Sequence, residues 1–384
     1  MNDGDGRLAT IQRRFADFAR EYAHLPLYGA LARRLAEDDE TARLLLAAAP
    51  GQDRPVLWLA ALHDLVLAEP SLPAARWFAS VVGRDAVPQG DPWPDVRSTV
   101  LAHRRTLMSV IASRSIQTNE VNRCVYVAAG LVAATADRPD DRTEGVALVE
   151  LGASAGLLLG VDRYAIELTR DRRVTVGGDP GSPVRCRGVD RSPVPVRVEA
   201  MPRVTGRAGV DRSPVHLGRE ADVRWLRACL WPDVPGRVER FEAALPLAAR
   251  HPAPLLEGDL VDRVGEVVDV ARAGSASAEH VVVYSSWALT YVESSRRAAL
   301  AERLTALGRD LPALSWLTAE PPGAAPGIAA TRGPREGSGE GSGETVLGLR
   351  RWRAGAEVEP LVLGTCHPHG EWIDLSPAPV ASTS

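Results

Sequence analysis

The chain of 384 residues contains no lysine; all 45 of its basic side chains are arginine. Schiff-base catalysis, pyridoxal phosphate attachment and a Walker-type phosphate loop each need a lysine amine, so all three are excluded. Cysteine is nearly as scarce. Cys124, Cys186, Cys229 and Cys366 are scattered with no CxxC pair, which signals neither a disulfide framework nor a zinc knuckle. No apolar run reaches the length of a membrane span. The opening Met1-Asn-Asp-Gly-Asp-Gly6 has no basic segment leading into an apolar one, so a soluble cytoplasmic protein is expected. A net charge of −4 gives no general pull towards nucleic acid or an anionic membrane. The expected partner is therefore a small molecule, with no nucleic acid and no membrane; oligomeric state is not legible.

Length allows two domains or one elaborated one. Residues 1–138 read as helices, with Pro26, Pro50 to Pro55, Pro70 to Pro73 and Asp91-Pro-Trp-Pro94 punctuating apolar patterns of helical period. The last of these helices carries Val121, Cys124, Val125, Ala128, Leu131 and Val132 at i, i+3, i+4, i+7 spacing. From residue 139 onward short strands are expected at Val146 to Leu151, Arg207 to Val210, Pro254 to Leu256, Val281 to Tyr284 and Ala313 to Thr318. Helices are expected at Ala221 to Leu230, Val238 to Ala249 and Ser294 to Leu307. Such alternation implies an α/β fold with a mostly parallel sheet. Residues 170–205 read as an insertion of loops or a hairpin, and 332–345 as a flexible polar tract. Two further strands, Val346 to Trp352 and Leu361 to Gly364, close the pattern. The heptapeptide Gly-Val-Asp-Arg-Ser-Pro-Val occurs twice, at 188–194 and 209–215.

The stretch that speaks to chemistry is Val146-Ala-Leu-Val-Glu150-Leu-Gly152-Ala-Ser154-Ala-Gly156. An apolar run ends in an acid, small residues follow, and Leu157, Leu158, Val161, Tyr164, Ala165 and Leu168 then recur at helical spacing. The expectation is strand, glycine turn, helix, a geometry that brings backbone N–H groups close to a cofactor. Glu150-x-Gly152-x-Ser154-x-Gly156 resembles the first motif of class I S-adenosylmethionine-dependent methyltransferases. Gly209-Val-Asp211 resembles the end of that family's second strand, Leu256-Glu-Gly258-Asp259 the end of its third, and His280-Val-Val-Val-Tyr-Ser-Ser286-Trp-Ala-Leu-Thr-Tyr291 its fourth-strand motif. Three features depart from the family pattern. Ser154 stands in place of a second glycine, the fourth strand starts at His280 where an acid is common, and the interval from Gly156 to Asp211 exceeds the ~20 residues expected.

The resemblance implies a Rossmann-like, mostly parallel sheet of about seven strands, with the last two strands sixth and seventh and the seventh antiparallel. It further implies S-adenosyl-L-methionine as cofactor and methyl transfer to a small molecule. Gly152, Ser154 and Gly156 would frame the cofactor turn. Glu150 would hold the methionine amino end, Asp211 the ribose and Asp259 the adenine. Trp287 would line the acceptor site, and Tyr291 or His280 could take a proton. The polar run Ser113-Arg114-Ser-Ile-Gln117-Thr-Asn119-Glu120-Val-Asn-Arg123 precedes the cofactor strand. It reads either as helix capping by Thr118 or Asn119 with Glu120 in the first turn, or as a substrate grip using Gln117, Asn119, Glu120 and Arg123. The whole chain also resembles an uncharacterised bacterial family sharing Gln117-Thr-Asn-Glu120, Trp231-Pro-Asp233 and His369-Gly370.

Gly152-Ala-Ser154-Ala-Gly156 equally spells the nucleophile elbow of serine hydrolases. Asp259 and His280 or His369 would then complete a triad, although helices rather than strands precede the elbow. A non-catalytic module that keeps the cofactor fold is the third reading, since methyl transfer depends mainly on holding two reactants together. Cys366-His367-Pro-His369-Gly-Glu371 could supply zinc ligands, but without an evident fourth ligand an exposed polar turn and no metal are expected.

Overall fold

The structure, a computed structural model, describes residues 3–117, 120–136, 145–234, 236–275, 279–329 and 344–375. They fall into two compact units, residues 1–119 with 216–241, and residues 120–215 with 242–384. The expected boundary near residue 138 thus lies elsewhere. The final helix of the N-terminal pattern belongs to the second unit, and residues 216–241 belong to the first.

The first unit holds α1 (Asp3–Glu21), α2 (Pro26–Leu35), α3 (Asp39–Ala42), α4 (Pro55–Ala68), α5 (Ala79–Val82), α6 (Trp93–Ala102) and α7 (Arg104–Ser113). The next helix, α8 (Cys124–Ala134), lies in the second unit, and α9 (Glu220–Ala228) returns to the first. Proline opens α2 and α4, where its missing N–H costs nothing. In α4 eleven of fourteen residues are buried, so it is the central helix, apolar on all sides. Around it close Ile11, Phe15, Leu31, Leu44, Phe78, Ile111 and Trp225. The Trp231-Pro-Asp233 segment has a structural task here. Trp231 packs against Phe18, Tyr22 and Tyr28, and the Asp233 carboxylate accepts the N–H groups of Leu27 (3.2 Å) and Tyr28 (2.9 Å) at the start of α2. His63 is buried between the Ala228 carbonyl (3.1 Å) and Ser80 Oγ (2.6 Å). Burial holds its pKa down to about 4, so it is a neutral core histidine.

The second unit is built on one sheet of eleven strands: β1 (Val146–Leu151), β2 (Ala165–Arg170), β3 (Arg173–Gly178), β4 (Arg185–Asp190), β5 (Val204–Asp211), β6 (Leu255–Glu257), β7 (His280–Ser286), β8 (Ala313–Glu320), β9 (Thr345–Arg353), β10 (Ala356–Cys366) and β11 (Trp372–Asp374). Their order is β3-β2-β4-β11-β10-β9-β8-β7-β1-β5-β6. The division between the units falls within α10 (Arg237–Arg250), and α11 (Leu260–Ala273) and α12 (Ser294–Asp310) follow in the second unit. One face of the parallel segment buries Ala147, Val149, Leu151, Val210, Val283 and Trp316 against Val261, Val264, Val268, Leu300 and Leu304 of α11 and α12. On the other face lies α8, where a Cβ on Gly130 would sit 2.3 Å from the Leu317 side chain. Nine of its eleven residues are buried, so its apolar pattern fills a sandwich rather than one helix face.

Several expectations are corrected. The sheet has eleven strands, not about seven, and it is mixed: six neighbouring pairs are parallel and four antiparallel. Three of the extra strands, β2 to β4, come from the segment between Leu157 and residue 205. The helix expected after the glycine turn is only a 3-10 helix, Leu157–Arg163, which ends where β2 begins. Tyr164 closes that turn by donating its hydroxyl to the Leu157 carbonyl at 2.7 Å. Of the two late strands, β9 already runs antiparallel to β8, and β10 reverses again. This outboard arm also explains the long interval between Gly156 and Asp211, because β2 to β4 occupy it. The tract 332–345 lies, up to residue 343, outside the described residues.

Candidate functional site

In chain order the parallel strands β1, β5, β6, β7 and β8 stand as β6-β5-β1-β7-β8, the 3-2-1-4-5 order of doubly wound sheets. The connections reverse direction between β1 and β7, and ligands of such sheets bind beyond the carboxyl ends of the strands at that switch point. Leu151 ends β1 there, and the following turn uses positive φ at Gly152 (79°), Ser154 (50°) and Gly156 (69°). The N–H groups of Gly152 and Ala153 both reach the Val210 carbonyl, at 2.9 and 3.0 Å. Ser154 N–H donates to Asp211 Oδ2 (2.8 Å), whose Oδ1 accepts from Ser213 N–H (2.9 Å). Val215 N–H returns to the Ser154 carbonyl (3.0 Å), and Gly258 N–H to the Asp211 carbonyl (2.9 Å). A Cβ on Gly152 would meet Ala288 Cβ at 2.7 Å, so the segment after β7 closes on the same turn. Four strand ends are drawn into one corner by backbone hydrogen bonds and close packing.

Beneath that corner sit buried polar groups. Glu150 is 4% exposed and Tyr284, its partner across the β1–β7 pairing, 1%. Glu150 Oε2 and the Tyr284 hydroxyl lie close enough to influence each other but fall outside hydrogen-bond geometry, and neither has another hydrogen-bond partner. Burial above all raises the Glu150 carboxyl well above its usual range, and Asp211 adds to the rise, while Tyr284 and Arg123 oppose it. Burial likewise raises Tyr284, with Glu150 adding. Arg123, one residue before α8, crosses this edge, giving Nε–H to the Pro368 carbonyl (3.1 Å) and Nη1 to Ser286 O (3.2 Å) and Oγ (3.3 Å). The Tyr126 hydroxyl also meets Ser286 Oγ, at 2.7 Å. Asn122 ties the same helix start to two other segments, bonding Arg187 O (3.0 Å), Arg187 N–H (2.8 Å) and His369 O (3.1 Å). Gly370 has to be glycine, since a Cβ would fall 2.1 Å from the Asn122 carbonyl. At the end of β8, Glu320 Oε1 accepts the N–H groups of Ala288 (3.1 Å) and Leu289 (3.2 Å). Burial raises the Glu320 carboxyl to about 7 against those donors. Ser285 Oγ is close enough to oppose that rise, yet it falls outside hydrogen-bond geometry with Glu320 Oε2.

Among the residues singled out by sequence, Glu150, Gly152, Ser154, Gly156 and Asp211 meet at this corner, and Arg123 and Glu120 join from the start of α8. Glu120 Oε1 accepts Asn122 N–H at 3.1 Å, so Glu120 caps the short turn that leads into α8. Asp259 lies beside the corner in a different role. Its Oδ1 accepts Val261 N–H (2.9 Å) at the start of α11, and Arg296 (2.7 Å) and Arg212 (3.1 Å) pair with it. Burial pushes its pKa up, but the Val261 N–H and the two guanidiniums outweigh that and hold it below the usual range. Trp287 takes a positive φ of 56° and donates its indole N–H to Thr345 Oγ1 at 2.9 Å. Tyr291, 54% exposed, follows in a short 3-10 turn, Leu289–Tyr291. His280 is not brought there. It begins β7 rather than ending it, so six residues, roughly 20 Å of strand, separate it from Ser286. It is 1% exposed and bonded to Ser315 Oγ at 2.9 Å. Gln117 belongs to the first unit, and Asn119, with Thr118, lies outside the described residues.

Sequence reading missed Tyr284, Ser286, Tyr126 and Glu320. The signal for Glu320 was available, because it is an acid closing an apolar strand just as Glu150 is. The repeated heptapeptide also acquires a meaning. Asp190 ends β4 and accepts Ser192 N–H at 3.0 Å, as Asp211 ends β5 and accepts Ser213 N–H at 2.9 Å. Both copies are the same aspartate-headed strand exit, but β4 runs opposite to β5, and only the second copy adjoins the glycine turn.

No curated protein matches the chain. A sequence profile described as an uncharacterized protein conserved in bacteria, DUF2332, matches residues 12–375. That span takes in both units and every residue of the corner just described, and the chain belongs to this bacterial family.

Proposed function

We propose that the second unit binds S-adenosylmethionine at the carboxyl edge of β1, β5 and β7 and promotes methyl transfer to a small molecule. One observation carries the reading: the glycine turn after β1 is tied through Ser154 N–H to the acid that ends β5. That pairing sets a close-approach backbone beside a carboxylate able to receive a ribose diol, because each oxygen of Asp211 has a lone pair beyond the N–H it already accepts. The group fits the buried surroundings too. Glu150 Oε2 and the Tyr284 hydroxyl are buried, interact with each other only outside hydrogen-bond geometry, and have no other partner, so a ligand with polar groups would complete what the fold leaves short.

When bound, the sulfonium supplies an electrophilic methyl group. The chain's own work is then to hold, orient and exclude water. Gly152 to Gly156 cradle the nucleoside, Asp211 orients its ribose, and Glu150 with Tyr284 lines the methionine end. Asp259, already ion-paired, orders the β6–α11 corner rather than reading adenine. Trp287 and the exposed Tyr291 stand where an acceptor would enter.

A serine hydrolase gains support from the left-handed backbone at Ser154, a strained turn of the kind an elbow needs. It loses support from His280, which lies at the other end of β7, and from Asp259, which is held by arginines. A fluorophosphonate that labels the wild type but not Ser154→Ala would favour it. The test of the methyl-donor reading is calorimetric titration with S-adenosylmethionine, S-adenosylhomocysteine and NAD. Binding of the first two and not NAD, weakened at least tenfold in Asp211→Ala, is expected. Absence of binding, or undiminished affinity in that variant, refutes it. Tight binding with no turnover on any acceptor leaves the non-catalytic module.

A further inference from the structure

The carboxyl edge holds a cation without a counter-ion. Arg123 is 5% exposed, and its bonds go to neutral partners, the Pro368 carbonyl and the carbonyl and hydroxyl of Ser286. Among the described residues it has no carboxylate within ion-pair distance. A buried charge is costly unless it is paired, and guanidinium carries five N–H donors in a planar fork. Here Nη2 is uncommitted. The two acids near enough to feel Arg123 make no ion pair with it, and burial works against the ionisation of both, raising Glu150 well above its usual range and Glu320 to about 7.

Arg123 is also held in place. Asn122 is pinned to Arg187 and His369, Gly370 is packed against the Asn122 carbonyl, and Ser286 Oγ is shared with Tyr126. A guanidinium this constrained, with one open edge beside the switch point, is preorganised for an anion. We propose that Arg123 is the receptor for a carboxylate on the small molecule bound at this edge, a group that no other residue described above is placed to neutralise. A carboxylate suits the site better than a phosphate. One open guanidinium edge offers one unit of charge in a plane, which matches a planar, singly charged carboxylate.

The inference rests on the methyl-donor reading only for where the carboxylate comes from. It could be the amino-acid tail of the cofactor or the acceptor itself. Calorimetry with S-adenosylhomocysteine and with 5′-methylthioadenosine, the same nucleoside without that tail, separates the two. It would be run on the full chain, on Arg123→Gln and on Arg123→Lys, and far-UV circular dichroism would verify folding. A parallel arm measures melting midpoints with malonate against ionic-strength-matched sodium chloride.

If the cofactor tail is the anion, the wild type binds the homocysteine compound roughly 10- to 100-fold more tightly than the truncated one, as hydrogen bonds to a charged group imply. Arg123→Gln then loses that advantage while its affinity for 5′-methylthioadenosine stays the same, and Arg123→Lys keeps part of it. If the acceptor is the anion, both nucleosides bind the two proteins alike. Malonate then raises the wild-type midpoint by about 2 °C or more and leaves Arg123→Gln unmoved. Malonate protection of the wild type alone, with no nucleoside binding at all, upholds the carboxylate receptor and removes the methyl donor. Equal behaviour of the wild type and Arg123→Gln in every arm overturns the proposal and leaves the nucleoside site intact. Should Arg123→Gln not fold, the wild type decides: no preference for the tailed nucleoside and no malonate effect overturns it.

Discussion

Replacing Glu320 by glutamine should change how the stability of the protein depends on pH. The carboxyl is 1% exposed at the end of β8, and its Oε1 accepts two backbone N–H groups from the segment after β7. Burial raises its pKa from the ordinary 4.5 to about 7, although Leu289 and Ala288 N–H, Ser285 and Arg123 all pull the other way. Below about pH 4.5 the carboxyl is neutral in the folded and unfolded chain alike, and the fold holds it without penalty. Between 4.5 and 7 the unfolded chain ionises first, so unfolding releases a proton and stability falls as pH rises. Above 7 the loss is complete. A difference of about 2.5 between the two pKa values, at 1.36 kcal/mol per unit, makes it about 3 kcal/mol.

Glu320→Gln keeps an acceptor oxygen for the Ala288 and Leu289 N–H groups but cannot ionise. The amide adds its own constant offset, so the informative quantity is how the difference between variant and wild type changes with pH. Urea unfolding, followed by tryptophan fluorescence that includes the buried Trp316 and Trp352, gives both free energies at pH 4.5, 6 and 8.5. The variant should gain about 3 kcal/mol relative to the wild type between the first and last of these. A difference that stays flat across the range would mean that Glu320 ionises freely in the folded protein. The view that burial suppresses ionisation of the Glu320 carboxyl at this edge would then be wrong.

Other substitutions test separate parts of the structure. Gly152→Ala puts a methyl group where φ is 79° and where Ala288 Cβ would be 2.7 Å away; the cost should be about 2 kcal/mol in urea unfolding, with nucleoside affinity lost, and an unaffected variant would contradict the close packing of the turn. Asp233→Ala leaves the Leu27 and Tyr28 N–H groups unpaired at the start of α2. A loss of about 1–2 kcal/mol follows, and a change within 0.3 kcal/mol would deny the carboxylate its capping role. His280→Gln, at the far end of β7, should leave nucleoside affinity within about twofold while lowering the melting midpoint. A large loss of affinity with an unchanged midpoint would return His280 to the site.

What could be read in advance divides along a physical line. The central strands β1, β7 and β8 were legible because they are buried on both faces, and burial on both faces favours a continuous apolar run. All six residues of β1 are buried, and its expected bounds are the observed ones. The outboard arm was not legible for the converse reason. β4 buries only alternate residues, with Arg185 and Arg187 facing out, and β3 is mostly exposed, so their arginine-rich text resembles a loop. Leu157 to Leu168 misled differently. Six residues at helical spacing fit a 3-10 turn followed by a strand as well as they fit a helix, and Gly160, where a Cβ would fall 2.8 Å from the Tyr164 hydroxyl, is a break that periodicity alone does not weigh. The corner around Asp211 was legible because strand-end acids and glycines are written locally. The cluster around Arg123 was only half so, since its members lie on β1, β7, β8, α8 and the turn after β10, and only the sheet order brings them together. A charge whose partners are this dispersed in sequence is recognised from the cost of burying it unpaired. That cost makes Arg123, more than any residue of the glycine turn, the group whose ligand would identify what this edge is for.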